Sequence, residues 1–160
     1  MGTKMQDRVF PDHEAFSTLL VGRTAGALLL DGMESTHPIR VEVKSPLEIR
    51  QVFDGISYGK GASVLRMVEA YLGEEAFRQG VHAYLKEFAF GNSRGSDLWH
   101  HLSQASHQPV DRILETWTGV PGYPVLVARR TASTVEITQH PFRYLGTPPP
   151  QLWPVPLTYR

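Results

Sequence analysis

The sequence predicts a mainly α chain that gives way to β structure near its end. Between Phe16 and Trp117, apolar residues recur at three- and four-residue steps, in runs short enough to be separate helices. Asp31-Gly32, Gly73 and Gly91-Asn92 punctuate those runs as helix stops. At Pro121-Gly122-Tyr123-Pro124 the character changes, and Val125–Arg129 and Thr134–Thr138 read as the two strands of a hairpin. The chain therefore divides into a helical part, residues 1–121, and a β part, residues 122–160.

Composition narrows the function classes. With 160 residues the chain fills about one average domain, and its 41% hydrophobic content suits a packed core. Lys plus Arg equals Asp plus Glu at 16 each, so no basic field invites nucleic acid. The absence of cysteine removes disulfides, thiolate catalysis and cysteine zinc sites, and it fits a cytoplasmic, reducing setting. Met1–Met5 lacks the apolar run of a signal peptide. Leu19–Leu30 contains Arg23 and two glycines and is too short to span a bilayer. A soluble protein with no membrane partner is expected.

Taken in order, residues 11–30 read as the first helix. Pro11 and Asp12 suit its first turn, and Phe16, Leu19, Leu20, Arg23, Ala27 and Leu30 form a mostly apolar stripe. His13-Glu14-Ala15-Phe16-Ser17 approaches the zinc signature H-E-x-x-H, but Ser17 stands where the second histidine is required. His13 and Glu14 are thus surface residues. Residues 33–44 read as extended: His37-Pro38 excludes helical backbone before the proline, and Ile39–Lys44 alternates apolar and charged like a half-exposed edge strand.

Ser45-Pro46-Leu47-Glu48 opens a short helix, with Ser45 as cap, Pro46 in the first position and Glu48 closing a capping box. Leu47, Ile49, Val52 and Phe53 are expected inside. After Ile56, the spacing of Val64, Leu65, Val68 and Leu72 marks one buried face that stops at Gly73. Glu74–Ala89 is its partner, burying Phe77, Val81, Tyr84, Leu85 and Phe88. Ser96 caps a helix carrying Leu98, Trp99 and Leu102, and Pro109–Thr118 turns Val110, Ile113, Leu114 and Trp117 inward. Short turns between such helices give a bundle-like layer without internal repeats. Beyond the hairpin, Thr147-Pro148-Pro149-Pro150 is a stiff turn, and Trp153–Tyr159 reads as a proline-rich edge strand.

One stretch looks chosen for more than folding: Asp54-Gly55-Ile56-Ser57-Tyr58-Gly59-Lys60-Gly61-Ala62-Ser63. Three glycines within seven residues cost roughly 1 kcal/mol each in a helix relative to alanine. That cost points to another backbone, or a ligand, lying close against the turn. Three readings compete. Tyr58 is a half-buried core residue with its hydroxyl in water, or the segment is a phosphate loop, or Tyr58 is a catalytic hydrogen-bond donor. The phosphate loop fails on detail, because its glycines stand one residue too close and Gly61 follows Lys60 where Ser or Thr is needed.

Phe53-Asp54-Gly55-Ile56-Ser57-Tyr58-Gly59-Lys60-Gly61-Ala62 resembles the tyrosine segment of gluzincin zinc aminopeptidases, the alanyl and puromycin-sensitive type. Two more segments resemble that family in the same order: Ser35-Thr36-His37-Pro38-Ile39 before it, and Thr116-Trp117-Thr118-Gly119-Val120-Pro121-Gly122-Tyr123-Pro124-Val125 after it. Ordered matches across residues 16–127 are far more specific than any one alone.

The resemblance implies a fold class: the mainly α, C-terminal helical subdomain of a thermolysin-like catalytic domain, then the truncated start of an antiparallel β-sandwich. It implies a fragment of a zinc-dependent aminopeptidase that removes N-terminal residues from peptides, with Tyr58 donating to the oxyanion of the tetrahedral intermediate. His37 would border the active-site cleft, where a structural turn histidine is the plainer reading than a direct role. The family's Zn2+ ligands, an H-E-x-x-H pair plus a downstream glutamate, and its Gly-Ala-Met-Glu-Asn strand find no match here, so they are expected before Met1. Partners are then the peptide substrate and the N-terminal part of the same enzyme, and the fragment alone is inactive. The alternative is a noncatalytic helical module of the same descent that binds a peptide or protein.

Overall fold

The computed structural model describes residues 2–158, with the side chains at positions 47, 50 and 51 outside that description. Helix α1 (Gly2–Val9), which no sequence signal announced, lies along the surface and is held by Lys4, whose ammonium pairs with Glu69 and, at 3.1 Å, with Glu74. Pro11–His13 is only a tight 3₁₀ turn, because Glu14 takes left-handed backbone (φ 44°) and resets the chain direction. The first long helix therefore starts at α2 (Ala15–Thr18). It continues without a break through a π-helical stretch (Leu19–Thr24) into α3 (Ala25–Asp31). Ala15, Leu19 and Ala27 are buried, whereas Leu20 and Leu30 of the expected stripe are exposed.

Residues 33–44 form no strand. Arg40 N–H donates to the Thr118 carbonyl at 2.8 Å, but no described strand lies alongside to continue a ladder, and Val41 and Val43 stay exposed. The capped helix after Ser45 is a 3₁₀ helix (Pro46–Val52), and its Glu48 carboxylate accepts from Lys44 N–H at 3.0 Å, one residue earlier than a capping box. Ile49 and Phe53 point outward rather than inward, and the side chain of Leu47 lies outside the description.

A second π-helical turn (Ile56–Lys60) leads into α4 (Gly61–Leu72), which ends at Gly73 in left-handed backbone (φ 83°) as expected. Helices α5 (Glu74–Glu87), α6 (Gly95–Ser106) and α7 (Val110–Gly119) complete the layer. Arg94, not Ser96, caps α6, its N–H bonded to the Asp97 carboxylate at 2.6 Å. The core is the expected one: Val64, Val68, Phe77, Leu102, Val110, Ile113 and Leu114, flanked by Trp99 and Trp117. Gly80 brings α5 and α6 together, since a Cβ there would stand 3.0 Å from Leu102 Cα. Leu85, expected inside, is exposed.

The chain then forms β1 (Pro124–Arg130) and β2 (Val135–Pro141), an antiparallel pair in which Val127 faces Thr138. The stretch from Trp153 pairs as no strand, since Pro154 and Pro156 lack the N–H a ladder needs. It is pinned instead by Gln139, which donates to the Trp153 carbonyl and accepts from Trp153 N–H. Trp153 is thereby buried beside Trp117, whose indole donates to the Pro154 carbonyl at 2.9 Å. Tyr159 and Arg160 lie outside the described residues. The architecture is mainly helical with a small antiparallel sheet, and no described helix is long and apolar enough to cross a membrane.

Candidate active site

The site is built on the π-helical turn between Asp54 and Gly61. Asp54 opens it in three ways: its Oδ1 accepts Ser57 N–H at 2.8 Å, its carbonyl accepts Tyr58 N–H at 3.1 Å, and its Oδ2 meets His37 Nε2 at 2.6 Å. Short polar side chains cap helix starts well because their oxygens take donors that the first turn leaves unsatisfied. The extra residue of a π turn rotates the side chains that follow it, and such turns collect at functional sites.

The inner side of the turn is fixed by close approach. A Cβ on Gly59 would sit 2.7 Å from the Arg23 carbonyl oxygen and 2.8 Å from Ala27 Cβ, so only glycine fits. The two π-helical stretches among the described residues meet at this contact. Ser63 Oγ donates to the Gly59 carbonyl at 2.7 Å, which leaves Thr24 Oγ1 as the donor to Ser63 Oγ, also 2.7 Å away. The glycine-rich segment does face another backbone, at Gly59 and not at Gly61, around which space is open.

Lys60 turns inward. Its ammonium lies 2.9 Å from Asp31 Oδ2, with the two side chains 2% and 0% exposed, and it donates to the Gly122 carbonyl at 2.8 Å. Burial draws Lys60 below its ordinary pKa, and Asp31 opposes that pull. Asp31 Oδ1 in turn accepts Thr36 Oγ1–H at 2.5 Å and Gly122 N–H at 2.8 Å. Three distant stretches of chain, around residues 31–36, Lys60 and Gly122, are tied at one point.

Tyr58 turns outward. The residue is 59% exposed, its ring lies 5.9 Å from that of Phe53, and both line an open cavity of about 250 Å³ with Ile39, Arg40, Val41, Val52 and Ser57. Arg40 is braced across the rim by a two-pronged bond to Glu115, at 2.9 and 2.5 Å. The cavity pairs an apolar wall with a single phenolic O–H beside the closely packed Gly59, which suits donation to a polar atom of a peptide-sized ligand.

His37 bonds with both ring nitrogens, to Asp54 and, through Nδ1, to the Pro38 carbonyl at 2.8 Å. Burial works against its charge, but these acceptors outweigh it and hold His37 above its ordinary 6.5. Burial likewise pushes Asp54 up, and the Ser57 N–H and His37 bring it below 3.8. Sequence reading gave neither pair. A signal for one was available: Ile56, Lys60, Val64 and Val68 share one helical stripe, so Lys60 falls on the buried face and demands a buried partner.

Among the described residues, no group of three or more His, Asp or Glu side chains could hold a metal ion. His13 stacks on Phe10, His100 bonds Gln104, and His101 is engaged at both nitrogens by the Asp97 carbonyl and Glu87. These donors do not make a zinc site.

Comparison with known proteins gives the family of the chain. Residues 1–117 match the model of the peptidase family M1 domain. The chain belongs to peptidase family M1. Among curated members, it is 48% identical over 158 residues to the Tricorn protease-interacting factor F2 of Thermoplasma volcanium, covering 99% of this chain and 20% of that protein. It is 43% identical over 159 residues to a probable aminopeptidase 1 of Saccharolobus solfataricus, again 99% and 20%. With aminopeptidase M1 of Arabidopsis thaliana it shares 42% over 152 residues, 95% and 17%. The chain thus spans about a fifth of the length of the M1 relatives it matches.

Proposed function

We propose that this chain is the C-terminal helical part of an M1 zinc aminopeptidase, residues 1–121, followed from residue 122 by the start of a β-sandwich domain. The complete enzyme removes N-terminal residues from peptides in the cytoplasm. Its zinc and the ligands that hold it belong to polypeptide beyond these 160 residues. In this reading Tyr58 donates its phenolic O–H to the oxygen that becomes negative as the scissile carbonyl turns tetrahedral. A donor of that kind lowers the barrier by about 2.7–4 kcal/mol, because it is already aimed where charge develops.

The observation that carries this reading is the contrast across one turn. Lys60 and Gly59 are locked into the interior, while the neighbouring phenol stands in an open cavity. In the complete enzyme, Tyr58→Phe should lower turnover by about 10²–10³ while zinc content and melting temperature stay the same. Turnover within a few-fold of the unsubstituted enzyme removes the catalytic role of Tyr58. The 160-residue chain alone should bind no zinc stoichiometrically, and metal analysis finding one tight ion per chain would contradict the placing of the ligands elsewhere.

A further inference from the structure

We propose that His37 is a positioning residue for Tyr58: as an imidazolium it clamps Asp54, and through Asp54 it fixes the turn that presents the phenol, so the clamp opens when the ring gives up a proton. This rests on the reading of Tyr58 as the oxyanion donor.

Geometry carries the argument. A carbonyl and a carboxylate can only accept, and His37 puts Nδ1 2.8 Å from the first and Nε2 2.6 Å from the second. A neutral imidazole has one N–H, so both contacts are satisfied only when both nitrogens are protonated. The Pro38 bond fixes the ring to its own backbone, and the Asp54 bond carries that fixation across to the turn. From Asp54 two further bonds reach Ser57 N–H and Tyr58 N–H. Loss of one proton leaves either Pro38 or Asp54 facing a lone pair, and the cap loosens at the start of the π turn. The Gly59 contact and the Lys60 pair hold only the far side of that turn.

The charged groups around the ring favour the imidazolium. Asp54 touches it, and Asp31 acts on it through space, though Lys60 sits on Asp31. Glu42 and Glu48 line the cavity of about 260 Å³ that His37 shares with Val41, Val43 and Val52. Both His37 and Asp54 remain about a third exposed, so protons reach the pair. Its acceptors, the Pro38 carbonyl and Asp54, hold His37 above its ordinary value, so the clamp opens as pH rises.

The test is a double-mutant cycle in the complete, zinc-loaded enzyme. His37→Ala should lower kcat on the order of tenfold to a hundredfold with KM and zinc content unchanged, because it disturbs the donor and not the substrate's binding. In a Tyr58→Phe background the same change should cost nothing further. His37→Gln keeps a donor toward Asp54 but cannot titrate, so it should restore part of kcat and lack the alkaline fall that His37 gives the unsubstituted enzyme. An equal loss from His37→Ala in both backgrounds, or an alkaline limb that survives in His37→Gln, overturns the proposal. Independently of activity, the ring carbons of 13C-labelled Tyr58 should shift with the titration of His37, and Asp54→Ala should uncouple them. This measurement decides the matter even if His37→Ala fails to fold. If Tyr58→Phe proves harmless while the Tyr58 ring shifts still follow the titration of His37, the catalytic reading fails and the clamp stands.

Discussion

Two acid–base pairs grip opposite sides of the turn that carries Tyr58, and they are built differently. Asp31 and Lys60 are sealed in the interior, with every remaining bond made to backbone or hydroxyl groups of the segments around them. His37 and Asp54 stand near the surface, each about 30% exposed, and the histidine is held above its ordinary value by its acceptors. Desolvation makes the first pair costly to break. Access to water makes the second cheap to alter, and its histidine makes it responsive. One side of the turn is a fixture and the other is adjustable.

Breaking the inner pair gives the largest effect. Lys60→Met leaves the buried Asp31 without its cation, which should cost roughly 3–5 kcal/mol in equilibrium urea unfolding. Removing both charges together tests whether the cost lies in the orphaned charge. Asp31→Asn with Lys60→Met keeps an acceptor for Gly122 N–H and should recover most of the loss. If the double variant is as unstable as the single, the pair's value lies in its packing and the contrast with His37–Asp54 disappears.

The next effect sharpens the claim that the inner side cannot yield. Gly59→Ala would drive a methyl group against the Arg23 carbonyl and Ala27, neither of them the free end of a flexible side chain. Overpacking of this kind costs about 1–3 kcal/mol. Gly61→Ala, where nothing lies within contact, should instead be stabilising, because alanine loses less freedom in a helix. The two substitutions should thus shift the urea midpoint in opposite directions. A shared sign would mean that the close approach at Gly59 relaxes easily.

These contrasts were partly legible beforehand. The spacing of Val64, Val68, Leu102, Val110 and Leu114 gave the core because burial of an apolar stripe is a local, periodic property. The density of glycine around Tyr58 pointed to a close backbone, and Gly59 meets one. Residues 39–44 alternate like a strand, yet a strand exists only where a neighbour pairs with it, and none of the described strands does. The proline-rich tail failed as a strand for want of donors, and Phe53 and Ile49 faced outward although their hydrophobicity argued for burial. His37 and Asp54 are 17 residues apart and Asp31 and Lys60 are farther still. No periodicity links them, because turns and a π-helical register bring them together, and those depend on tertiary packing.

The smallest effect is the pH dependence of the outer pair, and its sign follows from the directions of the two shifts. His37 is held above 6.5, so the stability it contributes is fully present below that value and is lost as pH rises through its higher folded value. Asp54 is held below 3.8, so its contribution is fully present above 3.8 and is lost as pH falls through its lower folded value. Between about 3.8 and 6.5 both contribute in full, which makes this the range where the pair is worth most. Water screens both groups, so the total stays small beside that of the inner pair. Urea unfolding at a series of pH values should show a gentle decline on the alkaline side that disappears in His37→Gln and persists in variants of the inner pair. A decline that ignores His37 would leave the adjustable side of the turn without its titrating group, since no other histidine contacts Asp54 among the described residues.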